Sequence, residues 1–207
     1  MRAYKFLDDV GRAPFTGVPW TVGDWVETAG PSPCRHGVHG CRPADLGWWL
    51  AASLWEVELD GDVVETRRKV VGSRGRLVRQ IDGYAVAVRE LAEVGTWRAR
   101  DLAVTSLREA GDDELAALFA AAFEMPALAA LAGRADETVF AGRAAALAAD
   151  AAHFALSGDA AQSPFVSACA AGHAAAGPAG DQAAYDDGYA AERAFQSSWL
   201  ASRLGLR

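Results

Sequence analysis

The chain has 207 residues, 51% of them hydrophobic and 23% charged, with a net charge of −7 and a mean hydropathy of +0.02. This composition is typical of a globular protein; it excludes a collagen-like or disordered chain, and its acidity argues against non-specific nucleic-acid binding. No run approaches the roughly 18 apolar residues that span a bilayer, and acids begin at Asp8, too early for a secretory signal. We therefore expect a soluble, cytoplasmic protein with no membrane partner.

Residues 1–81 are predicted to form a small, mostly antiparallel, β-rich unit. Residues 3–7 and 24–28 are strand candidates, and residues 54–59 alternate between two faces, one of them apolar, as a half-buried strand does. Residues 43–50 carry a proline, a capping aspartate and two tryptophans, which favours one or two helical turns.

A hairpin is predicted after the alternating strand. Asp60-Gly61-Asp62 is a typical turn sequence, because glycine and aspartate tolerate positive φ. Residues 63–71 would then return as the partner strand. Glycines in residues 72–75 predict a break, and residues 76–81 a further short strand.

Residues 82–207 are predicted to form a helical bundle, because residues 113–204 alone contain 34 alanines, the best helix former. Glycines 111, 133, 158 and 177 are predicted helix stops. The fold class is therefore α+β, with the two regions forming either two domains or one compact domain. The predicted helix starts are Asp82, Thr96, Asp112, Asp136, Ser163 and Asp181.

One segment concentrates the residues that bind zinc. Cys34, His36, His39 and Cys41 have the spacing C-x-H-x-x-H-x-C, and residues two apart share a face of an extended chain. Cys169 and His173, four apart on a predicted helix, are a candidate second pair. The alternatives are buried free thiols with histidines in turns, or a catalytic thiol or imidazole.

A basic stretch runs from residue 67 to residue 79 without an acid. It predicts a phosphate or nucleotide site; the alternative is a solvated strand face. A small-molecule site would draw on an aromatic side chain and several of these cations. The candidate ligand-binding residues are Trp48, Arg67, Arg68, Arg74 and Arg76.

The first 80 residues resemble an uncharacterised bacterial and phage domain. The resemblance rests on the Tyr4-Lys5 start, on the Cys-x-x-Gly-hydrophobic-His-x-Cys motif that ends at Cys41, and on Glu56-Val57-Glu58. The order of Gly37-Val38-His39, residues 44–50 and residues 54–59 is also loosely similar to ADP-ribosyltransferase-like folds. That resemblance implies a nicotinamide dinucleotide (NAD) as co-substrate.

The transferase resemblance also implies roles for three residues. Lys5 would occupy the first-strand position that a histidine or arginine usually holds in these folds. His39 would take the place of the aromatic residue that stacks on nicotinamide, and Glu65 the place of the catalytic acid. Residues 168–176 and 192–200 are similar to alanine-rich bundles in actinobacterial putative immunity proteins, which implies binding rather than catalysis.

The sequence therefore leaves three functions open. The first is a protein that binds a small molecule or a protein partner, with its site between the sheet and the bundle. The second is an ADP-ribosyltransferase-like enzyme. The third is a zinc-stabilised interaction or immunity-type protein.

Overall fold

The computed structural model describes residues 1–33, 35–135, 139–177 and 179–207. It confirms the predicted α+β class, with an antiparallel sheet followed by helices. The chain divides into two compact units. The first unit comprises Met1–Ala87 and Ser197–Arg207, and the second comprises Val88–Gln196.

The first unit is built on a five-stranded sheet in which β4 lies between β1 and β5. Both β2 and β3 pair with the far edge of β5, at different positions along it. A 3-10 helix, Pro43–Trp48, occupies the position where helical turns were predicted. The strands are β1 (Arg2–Leu7), β2 (Val26–Glu27), β3 (Val38–Gly40), β4 (Ser53–Glu65) and β5 (Val70–Gln80).

The sheet curls back on itself. The Tyr4 amide donates to the Cys41 carbonyl at 2.9 Å, and the Cys41 amide donates to the Tyr4 carbonyl at 2.7 Å. These bonds link the residue after β3 to β1, so that β1, β4, β5 and β3 surround a small apolar core. Ala3, Val38, Val57, Leu59 and Val70 form this core.

The predicted hairpin tip at residues 60–62 is wrong. The strand β4 continues through it with a register shift between Asp60 and Val63, and the chain turns where the Thr66 amide donates to the Lys69 carbonyl. Gly61 does have a φ of +71°, but a glycine at positive φ occurs in β-bulges as well as in tight turns, so the aspartate–glycine sequence fits both.

The predicted break at residues 72–75 is also wrong, because β5 passes through it. The glycines in this stretch allow close packing within the sheet and do not form a turn. A Cβ on Gly75 would lie 2.8 Å from Cγ1 of Val38 and 3.0 Å from the Glu58 carbonyl oxygen. The sheet therefore has no room for a larger residue here.

Replacing Gly61 with alanine should lower the free energy of unfolding by about 2 kcal/mol. Roughly half comes from an alanine at positive φ, and half from displacing the Ser73 hydroxyl, which accepts a hydrogen bond from the Asp62 amide at 3.0 Å. Gly83→Ala is the matched control, since Gly83 has a φ of +75° and open space around it. Urea denaturation measures both variants, and equal losses would contradict the role of Ser73.

The helices confirm several of the predicted ends. The Asp112 side chain accepts from the Leu115 amide at 3.1 Å, Asp181 accepts from the Ala183 amide at 2.8 Å, and Gly158 ends a helix with φ of +88°. The helices are α1 (Tyr84–Glu109), α2 (Asp113–Ala120), α3 (Met125–Ala129), α4 (Phe140–Ser157), α5 (Gln162–Ala176) and α6 (Gln182–Leu204).

The predicted helix start at Thr96 is wrong. Thr96 is buried inside α1, where its hydroxyl donates to the Ala92 carbonyl four residues earlier at 2.7 Å. A threonine whose hydroxyl donates to the backbone carbonyl one turn earlier does not interrupt a helix. The predicted start at Asp136 lies outside the described residues.

Alanines, most of them on α4, dominate the core of the second unit, together with a few bulky side chains such as Phe119, Leu107 and Leu128. Small residues let helices approach closely but supply little apolar area each, so the bulky residues carry much of the burial. Among the described residues, none of the helices combines the length and apolar character required to cross a membrane.

Candidate functional site

The first unit contains a pocket of about 610 Å³. It opens between β1, β3 and the loop that precedes β2, with Trp49 and Lys69 at one side. Its volume falls within the range that holds a small organic ligand. The aromatic residues among its lining are Tyr4, Phe6, Phe15, Trp20 and Trp49.

The pocket is basic although the protein is acidic. Its described lining residues include no aspartate or glutamate. The whole chain has only two lysines among its 20 Lys and Arg residues, and both line this pocket. The basic lining residues are Lys5, Arg35, His36, His39 and Lys69.

Lys5 is the most unusual of these groups because its side chain is buried. It lies on β1, on the same strand face as Ala3 and Leu7, and is 9% exposed. Its Nζ donates to the His39 carbonyl oxygen at 3.1 Å and lies 4.6 Å from the ring centre of Trp20. Burial lowers the pKa of Lys5 to about 8, so a substantial fraction of its amine is neutral near physiological pH.

His39 lies on β3 beside Lys5. Its Nε2 is buried and has no hydrogen-bond partner among the described residues. Burial lowers the pKa of His39, and the nearby charges of Lys5 and Lys69 lower it further, so the imidazole is neutral at pH 7. An unsatisfied buried nitrogen in a pocket is a candidate for hydrogen bonding to a ligand.

Trp49 and Lys69 form the side of the pocket nearest the β4–β5 turn. The Trp49 indole Nε1 donates to the Arg68 carbonyl oxygen at 3.0 Å, which fixes the ring. The Lys69 Nζ lies 4.3 Å from the centre of that ring. An ammonium group is thus held over an aromatic face at the pocket wall. Arg68 stacks on Trp48, 3.1 Å from its ring centre, and neither residue lines the pocket.

Glu65, the predicted catalytic acid, does not line the pocket. It lies at the exposed end of β4, where Arg42 Nη1 contacts its carboxylate at 3.2 Å. The same guanidinium donates to Asp45 at 2.7 Å and to the Arg67 carbonyl oxygen at 2.7 Å. These contacts hold the β4–β5 turn against the 3-10 helix.

None of the four arginines predicted to bind phosphate lines the pocket, and two of them, Arg74 and Arg76, face carboxylates. Arg76 pairs with Glu58 at 2.8 Å, and Arg74 pairs with Asp60, each directly across from it on β4. Trp25 lies against both guanidinium groups. This ladder of cross-strand ion pairs is the solvated strand face that was the alternative prediction for this stretch. Within the basic stretch, Lys69 is the described residue that reaches the pocket.

The zinc prediction stays a prediction. No group of three or more His, Cys, Asp or Glu side chains within residues 1–33, 35–135, 139–177 and 179–207 is placed to hold a metal ion. Cys34 lies outside those ranges, so the set with His36, His39 and Cys41 is not tested as a whole. Burial raises the pKa of the Cys41 thiol well above its usual range, which keeps it protonated at neutral pH.

The other candidate pair lies in the second unit. Cys169 and His173 are on α5, where the His173 ring packs edge-on against Tyr185 at 4.9 Å between centres. Burial raises the pKa of Cys169 and lowers that of His173. Both shifts favour neutral side chains and are typical of helix packing.

Sequence reasoning singled out Lys5 and His39, included Lys69 in the basic stretch without distinguishing it from the arginines, and missed the aromatic walls. Trp20 and Phe15 lie on a loop that reaches the pocket only in the folded chain. The signal that could have identified Lys69 is the lysine count, since two lysines among so many arginines are conspicuous in the sequence.

Comparison with known proteins adds no relative: no family model matches the chain, nor does any curated protein or solved structure. The functional argument therefore rests on the pocket itself.

Proposed function

We propose that this protein binds a small organic anion with a flat, apolar body in the pocket of its first unit. The observation that carries the proposal is the charge of the lining: both lysines of the chain, and no described carboxylate, surround the pocket of a protein whose net charge is −7. A buried lysine beside further basic side chains, in a described lining that contains no carboxylate, favours a negatively charged ligand.

The aromatic residues of the pocket wall favour a ligand with a flat, apolar body. Trp20 and Trp49 present aromatic rings that Lys5 and Lys69 approach within 4.6 and 4.3 Å of the ring centres. Aromatic walls beside fixed cations suit a ring that carries a carboxylate, sulfonate or phosphate. The pocket volume of about 610 Å³ matches such a molecule better than a protein surface.

The transferase alternative is weaker on chemical grounds. Transfer from a nicotinamide dinucleotide needs an acidic residue at the reacting sugar, as the resemblance implied for Glu65. That carboxylate pairs with Arg42 outside the pocket. The basic lining supports binding of an anion and offers no described acid to assist the transfer.

The dye 8-anilinonaphthalene-1-sulfonate tests the proposal, because it joins a flat aromatic body to one negative charge. We expect its fluorescence to rise on binding to the folded protein and benzoate to compete with it. Replacing Lys69 with methionine should weaken dye binding roughly tenfold or more, as expected for loss of a hydrogen bond to a charged group.

The control for this titration is Arg89→Met, which removes an exposed cation on α1 in the second unit and should leave the affinity unchanged. N-phenyl-1-naphthylamine, a neutral molecule of similar shape, should bind more weakly than the sulfonate. Equal affinity for the two dyes, or equal effects of the two substitutions, would contradict an anion site at this pocket.

A further inference from the structure

The chemical difference between lysine and arginine matters in this pocket. An arginine stays protonated in proteins, whereas a lysine amine can lose its proton and attack an electrophile. The chain uses arginine at every basic position except residues 5 and 69. Lysine thus occurs only where the pocket would give an amine access to a ligand.

Lys5 has the surroundings of a reactive amine. Its side chain is buried at the pocket wall, and its Nζ is oriented by one hydrogen bond, to the His39 carbonyl oxygen at 3.1 Å. No described lining residue is a carboxylate that would hold the ammonium form. The Trp20 ring, 4.6 Å from Nζ, shields the amine from water on one side. The lowered pKa of Lys5, about 8, agrees with this environment.

We propose that Lys5 is a nucleophile that forms an imine with an aldehyde or ketone group on the anionic ligand. This inference rests on the proposed function, because the pocket charge selects the ligand. Lys69 and Arg35, which also line the pocket, supply cationic charge for the anionic group while Lys5 meets the carbonyl carbon.

The reaction needs no oxidant or reductant. The lone pair of neutral Nζ forms the C–N bond, the carbonyl π pair moves to oxygen, and a proton passes from nitrogen to that oxygen, which gives a carbinolamine. A further proton from solvent then lets the hydroxyl leave as water while the nitrogen lone pair forms the C=N bond. The product is a protonated imine, and water reverses the sequence.

4-Formylbenzoate is the probe, because it carries an aromatic ring, a carboxylate and an aldehyde. The full-length protein is incubated with the probe and sodium cyanoborohydride at pH 7.5, and labelled peptides are quantified by mass spectrometry. We expect Lys5 to be labelled at least about tenfold faster than Lys69.

Lys5→Arg keeps the positive charge and removes the nucleophile, so this variant should lose the specific label. Dye binding by the unmodified protein, measured separately, distinguishes failure of the imine from failure of the anion site. Benzaldehyde, which lacks the carboxylate, should label Lys5 more slowly. Circular dichroism and the melting temperature confirm that the variant is folded.

Two results overturn the imine inference. Labelling of Lys69 as fast as Lys5 would overturn it, as would an unchanged label in Lys5→Arg. If the sulfonate binds while Lys5 stays unlabelled, only the imine fails and the anion site stands. If Lys5 is labelled but neither sulfonate nor benzoate binds, the anion site fails, and benzaldehyde should then label Lys5 as fast as formylbenzoate does.

Discussion

Replacing Lys5 with methionine is expected to stabilise the folded protein at pH 7 by about 2 kcal/mol. Lowering the lysine pKa from 10.5 to about 8 costs about 3 kcal/mol of stability at pH 7, and methionine removes that cost. The variant also loses the hydrogen bond to the His39 carbonyl oxygen, which lowers its stability by about 1 kcal/mol. A residue that costs stability and is still present suits a role in function.

The pH dependence of this difference has a defined direction. Between about pH 8 and 10.5 the unfolded chain keeps the Lys5 proton and the folded chain does not, so raising the pH favours folding. The advantage of Lys5→Met should therefore shrink to less than about 1 kcal/mol by pH 9.5. Urea denaturation of both proteins at pH 7 and 9.5 measures it.

A Lys5→Met variant less stable than the original at pH 7 would show that Lys5 contributes structural contacts that outweigh its burial. The difference between the two proteins is the quantity to follow, since Tyr84, whose pKa burial raises, titrates in both. The charge of Lys5 lowers the pKa values of Cys41 and His39, so its removal raises both.

Replacing Phe119 with alanine should destabilise the second unit by about 3–5 kcal/mol. Phe119, on α2, is fully buried in a core made largely of alanines. Small neighbours cannot extend into the space that a lost ring leaves, so the cavity persists. The loss should be visible in urea denaturation followed by helical circular dichroism.

Phe123→Ala provides the comparison, because this ring is 79% exposed and only a few residues away. It should change the free energy of unfolding by no more than about 0.5 kcal/mol. Similar losses in the two variants would mean that Phe119 does not anchor the core.

The sequence predicted the helical part better than the sheet. Local signals decide helix ends, as Asp112 and Asp181 show by capping the amides that follow them. The aspartate–glycine sequence at residues 60–62 has the same local preference in a turn and in a bulge. Only the pairing of β4 with β5 along its length distinguishes them, and that pairing depends on contacts distant in sequence.

The candidate site was predictable in part for the same reason. Lys5 and His39 were singled out by motif and resemblance, and the structure places them in one pocket. Arg74 and Arg76 looked equally available in the sequence, but each faces a carboxylate across the sheet. A one-dimensional pattern shows the basic residues without showing which acids neutralise them. Trp20 joins the site through a loop whose path the sequence does not reveal.

The division of the chain into units has a consequence for biosynthesis. The first unit needs its C-terminal segment: the Ser197 hydroxyl accepts a hydrogen bond from the Gly47 amide at 2.9 Å, and Leu200 is fully buried. The second unit is one continuous stretch of chain between those two parts. On a ribosome adding about 5–20 residues per second, the β-rich unit waits on the order of ten seconds for its final helical segment. During that interval the helical unit is itself being synthesised, so the pocket-forming strands have only their own partial pairing until residues 197–207 follow.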